Sequence, residues 1–199
     1  MTIATLTTVV QADHILGPSQ GHWTYAAYAA LPADGTRYEI LNGVLYMAPA
    51  PIPDHENIVM LLGARLVSAI EDTGLGRVFA SPDLDLGTLV VRPDAVVVLN
   101  ASQGIVTPQR LIGPPDIVIE ITSPSTAAYD RDAVTGKRGA YAQAGIPEYW
   151  IVDPLTRTVE VLVLAVGGYT TLGIAQGDAP IRSRALIGVS IRASACFPR

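Results

Sequence analysis

Pro115-Asp116-Ile117-Val118-Ile119-Glu120-Ile121-Thr122-Ser123-Pro124 is an apolar strand with a single carboxylate in it, bounded by prolines. Strand alternation assigns Ile117, Ile119 and Ile121 to one face and Val118, Glu120 and Thr122 to the other. A segment apolar on both faces reads as a buried strand. Glu120 is the exception, because burying a carboxylate is costly unless it is paired or bound to a cation. Upstream, Pro93-Asp94 opens a second unbroken apolar run, Ala95-Val96-Val97-Val98-Leu99. Taken singly, Asp94 reads as a strand-end cap and Glu120 as the partner of a buried arginine. Two carboxylates on neighbouring strands can instead hold a hard, oxygen-seeking cation such as Mg²⁺.

A cationic residue follows. Lys and Arg together number 13, and Lys137 is the only lysine among them. A lysine offers a compact ammonium that can approach a metal-bound phosphate, where arginine offers a bulky fork. Residues 130–144 read as the second long helix of the chain, closed by Gly145, although Gly136 and Gly139 inside it are unfavourable. On such a helix Asp130, Lys137 and Tyr141 fall at i, i+7 and i+11 and share a face. A helix packed beside the Glu120 strand would present Lys137 to the same pocket.

Further out, Trp23 to Leu31 reads as a short helix capped by Thr24 and stopped by Pro32. Arg37–Leu41 and Val44–Ala48 flank Asn42-Gly43, the dipeptide of a tight type I′ hairpin. After Pro49, Pro51 and Pro53, Asp54 is placed to cap a long helix with the stripe Ile58, Leu61, Leu62, Leu66 and Ile70, ended by Gly74 and Gly76. Short strands fill the stretch from Arg77 to Leu99. Pro147–Asp153 and Arg157–Leu164 form a strand pair, and the tail continues as β-rich segments. The simplest architecture is α/β with one mixed sheet flanked by two main helices. Residues 1–21 show no period and read as a loose N-terminal arm, leaving 22–199 as a single domain.

The bulk numbers set limits. The 199 residues, 49% hydrophobic and 16% charged, suit one globular domain. No apolar run reaches the ~18 residues of a membrane span, and the first eleven residues lack the basic start of a signal peptide. A single cysteine, Cys196, excludes an internal disulfide and a cysteine-built metal site, and suits a cytoplasmic protein. The formal charge of −5 argues against non-specific coating of nucleic acid.

In order, the chain reads Arg37-Tyr38-Glu39-Ile40-Leu41-Asn42-Gly43, His55, Arg92-Pro93-Asp94 and Glu120-Ile121-Thr122-Ser123-Pro124-Ser125-Thr126. It then reads Asp130, Lys137, Tyr141 and Gly145-Ile146-Pro147-Glu148-Tyr149-Trp150-Ile151-Val152-Asp153-Pro154. Over roughly residues 22 to 165 this pattern resembles the Uma-two family of bacterial proteins. The resemblance implies the PD-(D/E)xK restriction-endonuclease-like fold: a central mixed sheet flanked by helices, an N-terminal hairpin and a β-rich C-terminal extension. It implies that Asp94 and Glu120, with the carbonyl of Ile121, bind Mg²⁺ or Mn²⁺. The lysine usual two positions after the glutamate is absent, since Thr122 stands there, and Lys137 matches the migrated basic position. Glu39 matches an additional acidic residue, with pairing to Arg37 on an exposed strand as the alternative. His55 matches a position near the first long helix, where a capping or structural role beside Asp54 is the simpler reading.

The function expected on that basis is a metal-dependent endonuclease hydrolysing phosphodiester bonds in DNA. Asp94, Glu120, Lys137 and Glu39 would be catalytic, and His55 and Tyr141 accessory. Arg92, Arg131 and Arg138 are candidate groove-wall residues, and a homodimer is expected. The alternatives are a non-catalytic partner-binding or self-associating protein retaining the fold, and a hydrolase of small phosphoesters with a closed pocket. Tyr149 and Trp150 read as core or subunit contacts rather than base-stacking groups. The Ser123–Thr126 hydroxyls do not support a serine hydrolase, because no histidine follows them.

Overall fold

The computed structural model describes residues 8–198, and its strands divide between two sheets. Strands β1 (Val10–Gln11), β2 (Arg37–Leu41), β3 (Val44–Ala48), β5 (Leu84–Asp85), β6 (Val90–Val91) and β8 (Leu111–Ile112) form the first, in the order β1-β3-β2-β6-β5-β8. Strands β4 (Gly76–Ala80), β7 (Ala95–Leu99), β9 (Ile117–Ile121), β10 (Glu148–Asp153), β11 (Thr158–Ala165) and β12 (Gly168–Gln176) form the second, in the order β12-β11-β10-β9-β7-β4. The expected single sheet is therefore two. The short strands between Arg77 and Leu99 are shared out: β4 and β7 join the large sheet, while β5 and β6 join the hairpin.

The hairpin turns as its dipeptide demands. Asn42 and Gly43 both hold positive φ, 51° and 73°, the backbone that asparagine and glycine tolerate best and that matches strand twist. Residues 8–21 of the predicted loose arm are tied down: β1 pairs with β3, Ala12 donates to the Leu45 carbonyl, and the Gln20 side chain accepts from the Leu45 N–H. Residues 1–7 of that arm lie outside the described residues.

The large sheet is mixed at its centre. β9 runs antiparallel to β7 and parallel to β10, and all five of its residues are buried. Ile117, Ile119 and Ile121 face helix α2 (Pro53–Leu66), whose Ile58, Leu62 and Leu66 form the stripe expected for it, while Leu61, also expected there, is only half-buried. Ile70 extends that stripe in a π-helical turn over Val67–Glu71. Val118 faces the opposite core with Ala140 and Tyr141. The expected cap at Asp54 is displaced by two residues: Ile52 occupies the N-cap of α2 and Pro53 its first position, where a missing N–H costs nothing. The short helix α1 (Tyr25–Ala29) keeps Thr24 as its cap.

Residues 130–144 do not form one helix. Helix α3 (Ala127–Arg131) ends at Asp132, whose carboxylate accepts from Val134 N–H and the Thr135 hydroxyl, and α4 (Lys137–Gln143) starts afresh after Gly136. A Cβ on Gly136 would overlap the Tyr129 carbonyl, and one on Gly139 the Ala133 carbonyl. Both glycines let the second helix fold back against the first. The tail is β-rich only as far as Gln176. Beyond it, a bridge between Pro180 and Arg192 and a 3-10 turn over Ala193–Cys196 bring Ile181, Leu186, Ile191 and Phe197 onto the α2 side of the core.

Candidate active site

The register of β7 and β9 pairs Ala95 with Ile119, which sets Asp94 opposite Glu120 one step further along. Both side chains leave the sheet on the face of Val96 and Val118. At this end the β7–β9 ladder has stopped, and the free N–H of Ile121 donates to Oδ2 of Asp94 at 2.7 Å. The same oxygen accepts from Nε2 of His55, in the first turn of α2, at 3.0 Å. His55 therefore holds the aspartate, and the expected capping role beside Asp54 is replaced by this contact. Burial works against its protonated form, but the hydrogen bond to Asp94, its charge and that of Glu56 outweigh burial and raise the His55 pKa.

Glu120 is held from the other side. Tyr141 donates to its Oε1 at 2.6 Å and Lys137 Nζ donates to the same atom at 2.9 Å. Both come from α4, four residues apart on one face. The shared face thus survives for Lys137 and Tyr141, although the continuous helix from Asp130 does not. Lys137 also donates to Oε1 of Glu39 on β2 at 2.8 Å. Glu39 is buried, so it is no exposed strand carboxylate, and its partner is Lys137 rather than Arg37.

Asp130 completes the cluster. It is 2% exposed and lines the same cleft, of about 360 Å³, as Glu39, His55, Asp94, Glu120 and Lys137. Four buried carboxylates thus surround one ammonium. Burial pushes Glu120 up to about 8, with the charges of Asp94, Asp130 and Glu39 adding to it against the pull of Lys137. Burial likewise brings Asp130 to about 6. Burial works against the charged form of Lys137, but Glu120, Glu39 and Asp130 outweigh it and raise its pKa well above the usual lysine value. Glu120, Asp130 and His55 therefore hold their protons more tightly than in free solution, at a site with an excess of negative charge.

That excess, and the hardness of the donors, fit a divalent cation. Among the described residues, no group of three or more His, Cys, Asp and Glu side chains forms a ready-made metal cage. Mg²⁺ commonly takes one or two carboxylates and keeps its waters. The second oxygens, Oδ1 of Asp94 and Oε2 of Glu120, make no hydrogen bond among the described residues. They and the backbone of Ile121, which also lines the cleft, are the groups that would hold such an ion.

The arginines fall elsewhere than the expected groove wall. Arg92 is held by Asp83 at 2.7 and 2.9 Å, Arg131 by Glu160 at 2.6 Å and Asp153 at 3.3 Å, and Arg138 by the Tyr169 carbonyl. None of the three lines the cleft. Arg37 does; the sequence offers it only as the alternative partner of Glu39, two positions along the same strand face. Ser123, Ser125 and Thr126 form the rim, as a strand-ending segment should. Tyr149 and Trp150 are buried: Trp150 donates to Glu148, and Tyr149 donates to the Asp130 carbonyl, behind the cleft.

The model of the Uma2 (Uma-two) family, described as "Putative restriction endonuclease", matches residues 25–194. Among solved structures, a protein of Anabaena variabilis ATCC 29413 described as "a putative nuclease belonging to DUF820" has a TM-score of 0.71 with this chain at 20% identity. The match covers 87% of this chain and 97% of the other. At that identity the likeness concerns the fold. No curated protein matches the chain.

Proposed function

The chain belongs to the Uma2 family, and from that membership and the geometry of the cleft we propose that it is a metal-dependent endonuclease hydrolysing phosphodiester bonds in DNA. The observation that carries the reading is the side-by-side emergence of Asp94 and Glu120 from adjacent strands, with Lys137 within 2.9 Å of Glu120. When bound, Mg²⁺ or Mn²⁺ would polarise the scissile phosphate and acidify an attacking water.

The chain's own groups do the rest. The Ile121 N–H and His55 hold Asp94 with one oxygen turned to the cleft. Tyr141 does the same for Glu120. Lys137, kept charged by its carboxylate neighbours, stabilises charge developing on the phosphate or orients the water. Glu39 holds that ammonium between two carboxylates, and Arg37 stands at the cleft wall to meet a phosphate oxygen. A cytoplasmic location and action as a homodimer belong to the same proposal.

The runner-up is a non-catalytic partner-binding protein, favoured by one feature: Lys137 already occupies Glu39 and Glu120 as an internal cation. Calorimetric titration of Mn²⁺ into the wild type, Asp94→Ala and Glu120→Ala separates the two, followed by incubation of each with supercoiled plasmid. The nuclease reading expects binding and nicking by the wild type, both lost in either variant. Nicking retained by Asp94→Ala sinks it.

A further inference from the structure

A second cavity, of about 570 Å³, lies beside the cleft between α1 and β2, with Tyr25, Tyr28, Arg37, Glu39, Asp83 and Arg92 in its walls. Arg37 and Glu39 line both cavities, so the second cavity shares a wall with the cleft that holds the Asp94–Glu120 pair. Resting on the nuclease reading above, we infer that this cavity binds one unpaired nucleotide of a single-stranded substrate, adjacent to the phosphate at the cleft.

The lining has the chemistry of such a site. Tyr25 and Tyr28 are half-buried, with ring centroids 5.8 Å apart, and an aromatic ring stacks on any base. The Arg110 guanidinium lies 3.9 Å from the centroid of the Tyr25 ring, stiffening that wall by a cation–π contact. Asp83 stiffens the other wall, accepting from the Tyr28 hydroxyl at 3.3 Å and from Arg92. Arg92 nonetheless keeps 43% of its side chain exposed, and its Nη1 makes no hydrogen bond among the described residues. Arg37 uses only one nitrogen, on the Arg92 carbonyl. Two guanidinium groups with spare N–H donors beside two aromatic rings suit a phosphate and its base together. The volume falls within the roughly 300–1,000 Å³ of small-ligand sites.

Charge favours an unpaired strand over a duplex. Duplex binding draws on many phosphate contacts from clustered cations. Here the net charge is −5 and Arg131 is taken up by Asp153 and Glu160. Stacking supplies affinity that does not depend on such clusters, but only to bases outside a helix.

The test uses the full chain in EDTA, so that no cleavage intervenes. Fluorescence anisotropy compares a labelled single-stranded oligonucleotide with the blunt duplex of the same length. 2-Aminopurine placed along the single strand reports stacking directly in the wild type. The single strand should bind about tenfold tighter than the duplex, with 2-aminopurine quenched at one position. Tyr25→Leu/Tyr28→Leu should lose about tenfold in affinity for the single strand, while Tyr25→Phe/Tyr28→Phe, which keeps both rings, should retain it. Equal affinity for both oligonucleotides, absence of quenching, or no binding at all overturns the inference; the quenching result stands even if the leucine variant does not fold. Ring-dependent binding without any metal-dependent cleavage would keep the pocket and remove the nuclease reading. Duplex cleavage indifferent to the rings would do the reverse.

Discussion

His55 and Asp94, on different elements and 39 positions apart, meet at 3.0 Å through Nε2 and Oδ2. The histidine enters the cleft because Pro53 starts α2 two residues earlier and directs its first turn at the mouth of β7. Its role is to aim the carboxylate. Partners that orient a metal-binding group typically carry 10–100-fold of the affinity. His55→Ala is therefore expected to weaken Mn²⁺ binding by about tenfold or more without abolishing it, as calorimetry would read. Affinity equal to wild type would leave the histidine a packing residue.

Lys137 is expected to separate binding from chemistry. Lys137→Met removes the ammonium between Glu39 and Glu120, and breaking a buried ion pair costs about 3–5 kcal/mol. Urea unfolding of the metal-free variant should show a loss of that order. Added Mn²⁺ should recover part of it, because the ion supplies the missing positive charge, while single-turnover cleavage stays at least about 100-fold below wild type. Lys137→Arg should not rescue cleavage, since the planar fork does not fit where a point charge sits.

The metal-free protein should become more stable as pH falls from 8 towards 5. Glu120 is raised from 4.5 to about 8, Asp130 from 3.8 to about 6, and His55 above 6.5. Each folded-state pKa lies above its unfolded value, so the folded state binds more protons. Stability from these groups is full below their unfolded values and is lost as pH rises through the folded ones. The melting temperature should rise by several degrees over that interval, and Glu120→Gln should flatten the slope above about pH 6. A melting temperature that climbs with pH between 5 and 8 would contradict this account of the cluster.

Gly136 and Gly139 are expected to tolerate no side chain. Alanine at either position meets a backbone carbonyl, of Tyr129 or Ala133, and must push α4 away from α3. A loss of about 2 kcal/mol or more in denaturant unfolding is expected, along with weaker cleavage because Lys137 moves with α4. Gly63→Ala, in the interior of α2 with open space around its Cβ, should be neutral or slightly stabilising.

Local rules account for much of what the sequence shows. Asn42-Gly43 admits few turns, so the hairpin and the place of Glu39 on it could be read directly. The apolar runs around Asp94 and Glu120 read as strands because they are short, rich in β-branched residues and bounded by prolines. Lys137 was visible as the sole lysine, and its i+4 relation to Tyr141 holds within α4. The break at Gly136 was less legible, because a glycine inside a helical pattern signals either a weak helix or a close backbone approach, and only the neighbouring chain distinguishes them.

What the sequence by itself determined is the hairpin, the apolar stripe of α2, the two central strands and the place of Asp94 and Glu120 on them, since turn dihedrals, strand alternation and the cost of an unpaired charge act over a few residues. What the tertiary structure alone decided is which groups share a volume. Lys137 joins Glu39 across 98 positions, His55 joins Asp94, Asp130 becomes a fourth carboxylate, and Arg92, Arg131 and Arg138 turn to acids or a carbonyl instead of the cleft. Pairing of charges depends on distance after folding, and distance between remote segments is set by sheet register and helix packing, which no local stretch encodes.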